Sequence, residues 1–215
     1  MEKSKVFGKD LSVRKKRARV RKPRFALYPK LPQSMRVSVR ARTYDTGTSV
    51  ASPVWNRYGF VEFLGKGGSY IDSLFGLYEN AIVHGSQITI RVVNMSSEPI
   101  MASIAPLPYD WISGSPTLSE ILDAPRAVRA STGGNSGVDK LTLTNAATVR
   151  EVLGKGYQAV KYQMDAAQAV NTTPLSTEEP VWVVGLSAYN ASTAISYRLE
   201  IEYEWNVEFY NLTSV

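Results

Sequence analysis

The sequence contains no cysteine and a single histidine, His84. The first absence excludes disulfides and thiolate metal sites. The second leaves almost no material for imidazole zinc chemistry or for a Ser-His-Asp arrangement. No run of about 18 apolar residues occurs, so nothing in the chain reads as a membrane-spanning helix. The N-terminal stretch is highly charged and lacks the apolar core of a signal peptide. On that reading the four sequons at Asn94, Asn171, Asn190 and Asn211 are chance pairings of Asn with Ser or Thr. The GKGG stretch at 65–68 lacks the GxxxxGK[ST] spacing of a phosphate loop and reads as a tight turn. No repeat with a period of about 20–50 residues is visible, which argues against a propeller or a solenoid.

The strongest positive signal lies near the C-terminus, in ISYRLEIEYEWNVEF (195–209). Ile195, Tyr197, Leu199, Ile201, Tyr203, Trp205, Val207 and Phe209 alternate with Ser196, Arg198, Glu200, Glu202, Glu204, Asn206 and Glu208. Side chains on a strand point alternately to opposite faces, so the run predicts one strand with an apolar face and a wet face. At about 3.4 Å per residue it spans roughly 50 Å, well above the usual strand length. Such a strand needs a sheet beside it and an apolar layer beneath it.

Charge divides the chain. Residues 1–24 carry eleven Lys or Arg against Glu2 and Asp10, a net of +9. Residues 25–215 hold fourteen basic and seventeen acidic side chains, a net of −3. The segment VRKKRARVRKPR (13–24) has too few apolar residues to bury and too much like charge to fold alone. We therefore expect a disordered basic arm over 1–24 and a folded domain over 25–215. A flexible cationic peptide suits both a nuclear-import signal and a nucleic-acid-binding arm that neutralises phosphates and releases counterions. The candidate contacts in the arm are Arg14, Lys15, Lys16, Arg17, Arg19, Arg21, Lys22 and Arg24, where guanidinium grips phosphate in a fork. No aromatics interleave the charges, so base readout is not expected from the arm.

Within the body, SMRVSVRARTY (34–44) alternates again, with Met35, Val37, Val39 and Ala41 on one face. Arg36, Arg40 and Arg42 on its other face are the remaining candidate nucleic-acid contacts. YGFVEFLG (58–65) predicts a third strand. SYIDSLFGLYE (69–79) predicts a short helix, with Ser69 and Asp72 at capping-box spacing. Further strands are expected at 86–95, 99–108, 126–132, 139–154 and 179–189. The last of these is almost continuously apolar and so reads as central. Thr117 and Glu120 are placed to cap a helical turn in 117–124, Thr148–Leu153 has the pattern of a helix start, and 157–170 shows a rough helical stripe.

Eight strands joined by loops too long for a hairpin meander predict an all-β, eight-stranded single jelly roll of two packed antiparallel sheets, with short helices in its loops. In that topology the first and last strands pair antiparallel. Their wet faces are complementary, with Arg36, Arg40 and Arg42 on one and Glu200, Glu202 and Glu204 on the other. Opposite charges across strands favour that pairing.

A basic arm of about two dozen residues ahead of a jelly roll resembles the capsid proteins of small icosahedral viruses. More narrowly, the chain is similar to those of the circovirus-like group, whose circular single-stranded DNA genomes encode a replication initiator. The resemblance is carried by RVRKPR leading into the first strand, by DAPRAVRASTGGNSG, and by TLTNAATVREVLG. Many arms of that group are longer and almost wholly Arg, whereas this one is short and mixed. The resemblance implies self-assembly into a closed icosahedral shell of roughly sixty copies. It also implies packaging of single-stranded viral DNA, passage through a host nuclear-import receptor, a host attachment factor, and a place in the virion and the host nucleus. No cofactor and no membrane insertion are implied. At nine net charges per arm such a shell would present on the order of 540 positive charges to its genome.

Other classes share parts of this pattern. Satellite single-stranded RNA viruses use the same layout. A ribosomal or chromatin-type binder also carries a basic tail, but its body is usually positive too. A lectin-like jelly roll leaves the arm unexplained. For an enzyme, the carboxylates of the 200–204 stripe read as a solvated or Arg-paired face, and His84 as a turn or packing residue. We expect no catalytic activity.

Overall fold

A computed structural model of the chain describes residues 31–60, 69–109, 117–134, 139–154, 163–164, 180–190 and 192–212. The folded unit begins at Pro32. Its elements are β1 (Ser34–Val50), β2 (Val54–Gly59), α1 (Ser69–Phe75), β3 (Tyr78–Asn94), β4 (Ile100–Pro108), α2 (Leu118–Leu122), β5 (Val128–Ser131), β6 (Lys140–Thr148), α3 (Val149–Leu153), β7 (Gln163–Met164), β8 (Pro180–Ala188) and β9 (Ile195–Leu212).

One sheet runs β1-β9-β3-β6, with the two-residue β7 also on β3; the other runs β2-β8-β4-β5. Every pairing is antiparallel. The chain crosses repeatedly from one sheet to the other, and its first and last strands lie side by side. Eight principal strands in two such sheets are the expected jelly roll.

The alternation in β9 is realised residue by residue. Its odd-numbered positions from Ile195 to Phe209 are all buried, Trp205, Tyr203 and Phe209 completely. They meet Trp182, Val184 and Leu186 of β8 and Ile104 of β4 in one core cluster. Tyr203 stacks on Trp205 at 5.5 Å between centroids, and Phe60 stacks on Trp182 at 5.0 Å. Each such side chain contributes roughly 1.5–3 kcal/mol by leaving water. The Trp182 Nε1–H donates to Ser86 Oγ at 3.1 Å, which satisfies its one buried donor.

β8 is buried along its whole length, as its unbroken apolar run predicts. One face joins the core. The other carries Val181 and Val183, which pack with Ala105, Leu107 and Ala124. Helix α2 covers this side, and Ile121 lies so close over Gly185 that a Cβ there would strike its side chain. Glycine is required at 185 by that approach.

Several boundaries differ from the sequence reading. β1 continues past Tyr44 to Val50 because β9 offers partners as far as Ile195. β2 begins at Val54, four residues before the expected start at Tyr58, and residues 61–65 of the expected strand lie outside the described residues. Helix α1 stops at Phe75 and β3 starts at Tyr78, so the expected helix over 69–79 is too long. β3 therefore begins eight residues before Ser86; a bulge between Val83 and Gly85 breaks the alternation that would have revealed it. The β-rich stretch 139–154 divides into β6 and α3, with Thr148 and Glu151 forming a capping box. Thr117 and Glu120 form a second one at α2. Of the helical stripe expected over 157–170, Gln163–Met164 are strand, and the rest lies outside the described residues.

Asn94 closes the far end of the roll. Fully buried, its amide donates to the carbonyls of Glu98 and Gly133 and to Thr132 Oγ1, while its oxygen accepts from Ser96 N–H. A sequon asparagine so placed offers no acceptor nitrogen to solvent, consistent with a chance match there. Asn190 and Asn211 are exposed, and Asn171 lies outside the described residues.

The two faces of β9 give a direct test. Tyr203→Asp puts an unpaired charge among aromatic rings and is expected to abolish folding. Glu202→Gln on the opposite face loses its pairs with Arg42 and Arg91 and should cost no more than about 2 kcal/mol, leaving a folded protein. Urea denaturation followed by tryptophan fluorescence reads both; similar losses from the two changes would contradict the assigned faces.

Candidate nucleic-acid interface

Of the eleven candidate contacts, the eight in the arm (Arg14 to Arg24) lie outside the described residues. Arg36, Arg40 and Arg42 are described, and all three project from the polar face of β1. Strand register decides what they meet. Arg36 stands opposite Glu208, Arg40 opposite Glu204 and Arg42 opposite Glu202. Arg36 reaches Glu208 Oε2 at 3.1 Å and Arg40 reaches Glu204 Oε2 at 3.0 Å. Arg42 lies 3.4 Å from Glu202 and 3.9 Å from Glu200.

The acidic partners are therefore not simply Glu200, Glu202 and Glu204. Glu208 belongs to the set, and Glu200 is held chiefly by an arginine from the other side, Arg91 of β3. Arg91 binds Glu200 at 3.0 Å and Glu202 at 3.1 Å, so β9 carboxylates are gripped from both flanking strands. Gln87, Thr89 and Arg91 alternate with Ile88, Ile90 and Val92, so Arg91 could have been found by the same period of two. His84 could not, because it sits in the bulge, where the alternation changes phase. It lies in strand β3 rather than in a turn, half-buried, with its Nε2 2.8 Å from Glu208 Oε2. An ionised carboxylate only accepts, so the imidazole is the donor.

Four arginines and four glutamates thus match across three strands. Each exposed pair contributes at most about 1 kcal/mol, and their larger effect is on register. The carboxylates respond to their partners. The His84 hydrogen bond does most to hold the Glu208 carboxyl below its ordinary range; burial opposes this and Arg36 adds to it. At Glu202 burial pulls the pKa up, but the hydrogen bonds and charges of Arg91 and Arg42 together outweigh it, and the net shift is downward.

A groove of about 640 Å³ crosses this face at the level of the bulge, lined by Arg36, Ser38, Gln87, Asn206, Arg126 and Glu151. Its two guanidiniums already have partners, Glu208 for Arg36 and Glu151 for Arg126 at 3.3 Å. It offers an anion no free charge. On the other sheet Arg57 sits between two rings, 4.9 Å from Trp55 and 5.0 Å from Tyr109, a doubled cation–π contact. Trp55 and Arg57 both belong to β2. Among the described residues no helix is long and apolar enough to cross a membrane.

No family model matches the chain, and no curated protein does. Solved structures do resemble it. That of Desmodium yellow mottle tymovirus aligns over 91% of this chain and 98% of its own, at 15% identity and a TM-score of 0.43. Tobacco necrosis virus aligns over 86% and 85%, at 8% identity and 0.47. The decameric BFDV capsid protein aligns over 83% and 98%, at 7% identity and 0.45. These are likenesses of fold, and the jelly roll stands on the chain's own register.

The depressed carboxyls give a sign for pH dependence. A group whose pKa is lowered by folding stabilises above its unfolded pKa, about 4.3 for Glu, and loses that contribution as pH falls through the folded value. Thermal unfolding should thus shift downward below about pH 4. The double variant Glu202→Gln/Glu208→Gln should show a shallower acid slope than the parent between roughly pH 5 and 2.5. Parallel slopes would mean that the ladder is not coupled to folding.

Proposed function

We propose that this protein is a viral capsid subunit that assembles into a small icosahedral shell and packages single-stranded DNA through its basic N-terminal arm. The observation that carries this reading is the separation of charge. The first 24 residues hold a net of +9, while the remainder is net acidic. The arginines of β1, the obvious alternative phosphate contacts, are matched by glutamates of β9. Jelly rolls serve as viral capsid domains, lectins and cupins. A sugar-binding or cupin role gives the arm no purpose, whereas a shell around a polyanion needs a compact wall and a flexible cationic lining. Fold alone does not decide among these, and the arm does. Its composition also suits a nuclear-import receptor, so we place the protein in the virion and, during assembly, in the host nucleus.

Assembly is tested by sedimentation and negative-stain microscopy. Closed particles far above the monomer mass of 23.7 kDa are expected; monomer and dimer alone, at low and high salt and with nucleic acid present, would refute the shell. The arm is tested by deleting residues 2–24, which should leave a folded body. The deletion should abolish most binding to single-stranded DNA and flatten its salt dependence, since the slope counts neutralised phosphates. Two oligonucleotides of different sequence should bind the intact protein alike. An unchanged affinity and slope after deletion would move the binding to the body and leave the arm as an import signal.

A further inference from the structure

We infer that one end of the polar face of the β1-β9-β3-β6 sheet is a second contact for single-stranded nucleic acid, with Arg198 and Lys140 as phosphate ligands and Tyr44 as a stacking platform for one base. The inference rests on the nucleic-acid reading above and deepens it by naming a site on the folded body.

Register lays this end out in two rows. One row holds Tyr44, Glu200, Arg91 and Thr142, and the next holds Thr46, Arg198, Val93 and Lys140. In every other row of the face that carries charge, arginine and glutamate meet. Glu200 is held by Arg91, and Arg42, two residues before Tyr44, is held mainly by Glu202. Arg198 and Lys140 are exposed and, among the described residues, neither has an ion-pair partner. Asp139, the neighbour of Lys140, lies with its carboxylate against Gly133. Positive charge is therefore in excess in this row alone.

Tyr44 is 70% exposed, more than any other large apolar or aromatic side chain on this sheet. A lone exposed tyrosine needs no ligand to explain it. This one stands diagonally across from Arg198, beside the uncompensated charge. Strands are spaced about 4.8 Å, so Arg198 and Lys140, two strands apart, have backbones about 10 Å apart. Both long side chains can reach one nucleic-acid backbone laid across the strands while a base turns down onto the Tyr44 ring. Sequence-tolerant single-strand binders combine a cationic track with aromatic platforms in this way. The basic stretch 13–24 supplies charge without aromatics; this patch supplies the ring.

The test uses the full chain and a fluorescent single-stranded DNA oligonucleotide titrated across a range of salt. Arg198→Gln/Lys140→Gln should reduce the slope of log K against log salt by about 1.4, or 0.7 for each phosphate no longer neutralised. Tyr44→Ala should weaken binding about 5- to 100-fold with the slope unchanged, as expected when one base no longer stacks, and Tyr44→Phe should restore it. Arg150→Gln, an exposed arginine on α3, is the control and should do neither. All these positions are exposed, and circular dichroism should report an unaltered fold. If the parent binds DNA and the variants match it in affinity and slope, the patch is refuted and the arm-based reading survives. If Arg150→Gln lowers the slope by half as much as the double variant, the effect is general charge and the site is refuted. If the parent binds no single-stranded DNA at any salt, the nucleic-acid reading itself falls.

Discussion

The structure depends on β9 being flanked on both edges. β1 pairs with it from Ser34 to Val50 and β3 from Tyr78 to Asn94, each through most of its length. Its apolar face supplies Trp205, Tyr203 and Phe209 to the core, and its polar face supplies all four carboxylates of the ion-pair ladder. A slip of one residue would exchange these faces and place glutamates against Trp182. Two independent patterns, apolar on one side and alternating charge on the other, therefore specify the same register. Agreement between such levels is what makes one arrangement stand clear of its competitors.

The polar face is usually the place to look for function on an antiparallel sheet. Here most of it is self-neutralised. Arg36, Arg40, Arg42 and Arg91 are attached to carboxylates that fold with them, so they act on register more than on ligands. What remains available is what the ladder leaves over: Arg198, Lys140 and the ring of Tyr44. The charge that dominates the chain lies elsewhere, in a segment with no apolar pattern of its own.

Strands with a clean period of two, 195–209 and the first half of β1, were legible from the sequence, and so was β8 from its unbroken apolar run. The pairing of the end strands followed from their complementary charges, although charge alone could not place Arg36 against Glu208. Illegible regions have physical reasons. In β3, His84 and Gly85 occupy a bulge, so the period changes phase and a clean alternation starts only at Ser86. The stripe Ile71, Leu74, Phe75, Tyr78 fits a helix throughout, but Leu77 N–H already bonds Leu74 O in a turn that hands Tyr78 to β3. The two polar helix starts, Thr117 and Thr148, were legible because a capping box is local chemistry and needs no tertiary context.

The Arg36–Glu208 pair joins residues 172 positions apart. During synthesis at about 5–20 residues per second, β1 emerges roughly 10–35 s before its neighbour β9 exists. Over that interval Arg36, Arg40 and Arg42 lack the β9 carboxylates that match them in the fold. Only when the last strand is made can these arginines be matched within the sheet. Vectorial synthesis thus gives the polar face of β1 two electrostatic lives, first as a row of cations and then as one side of a balanced ladder.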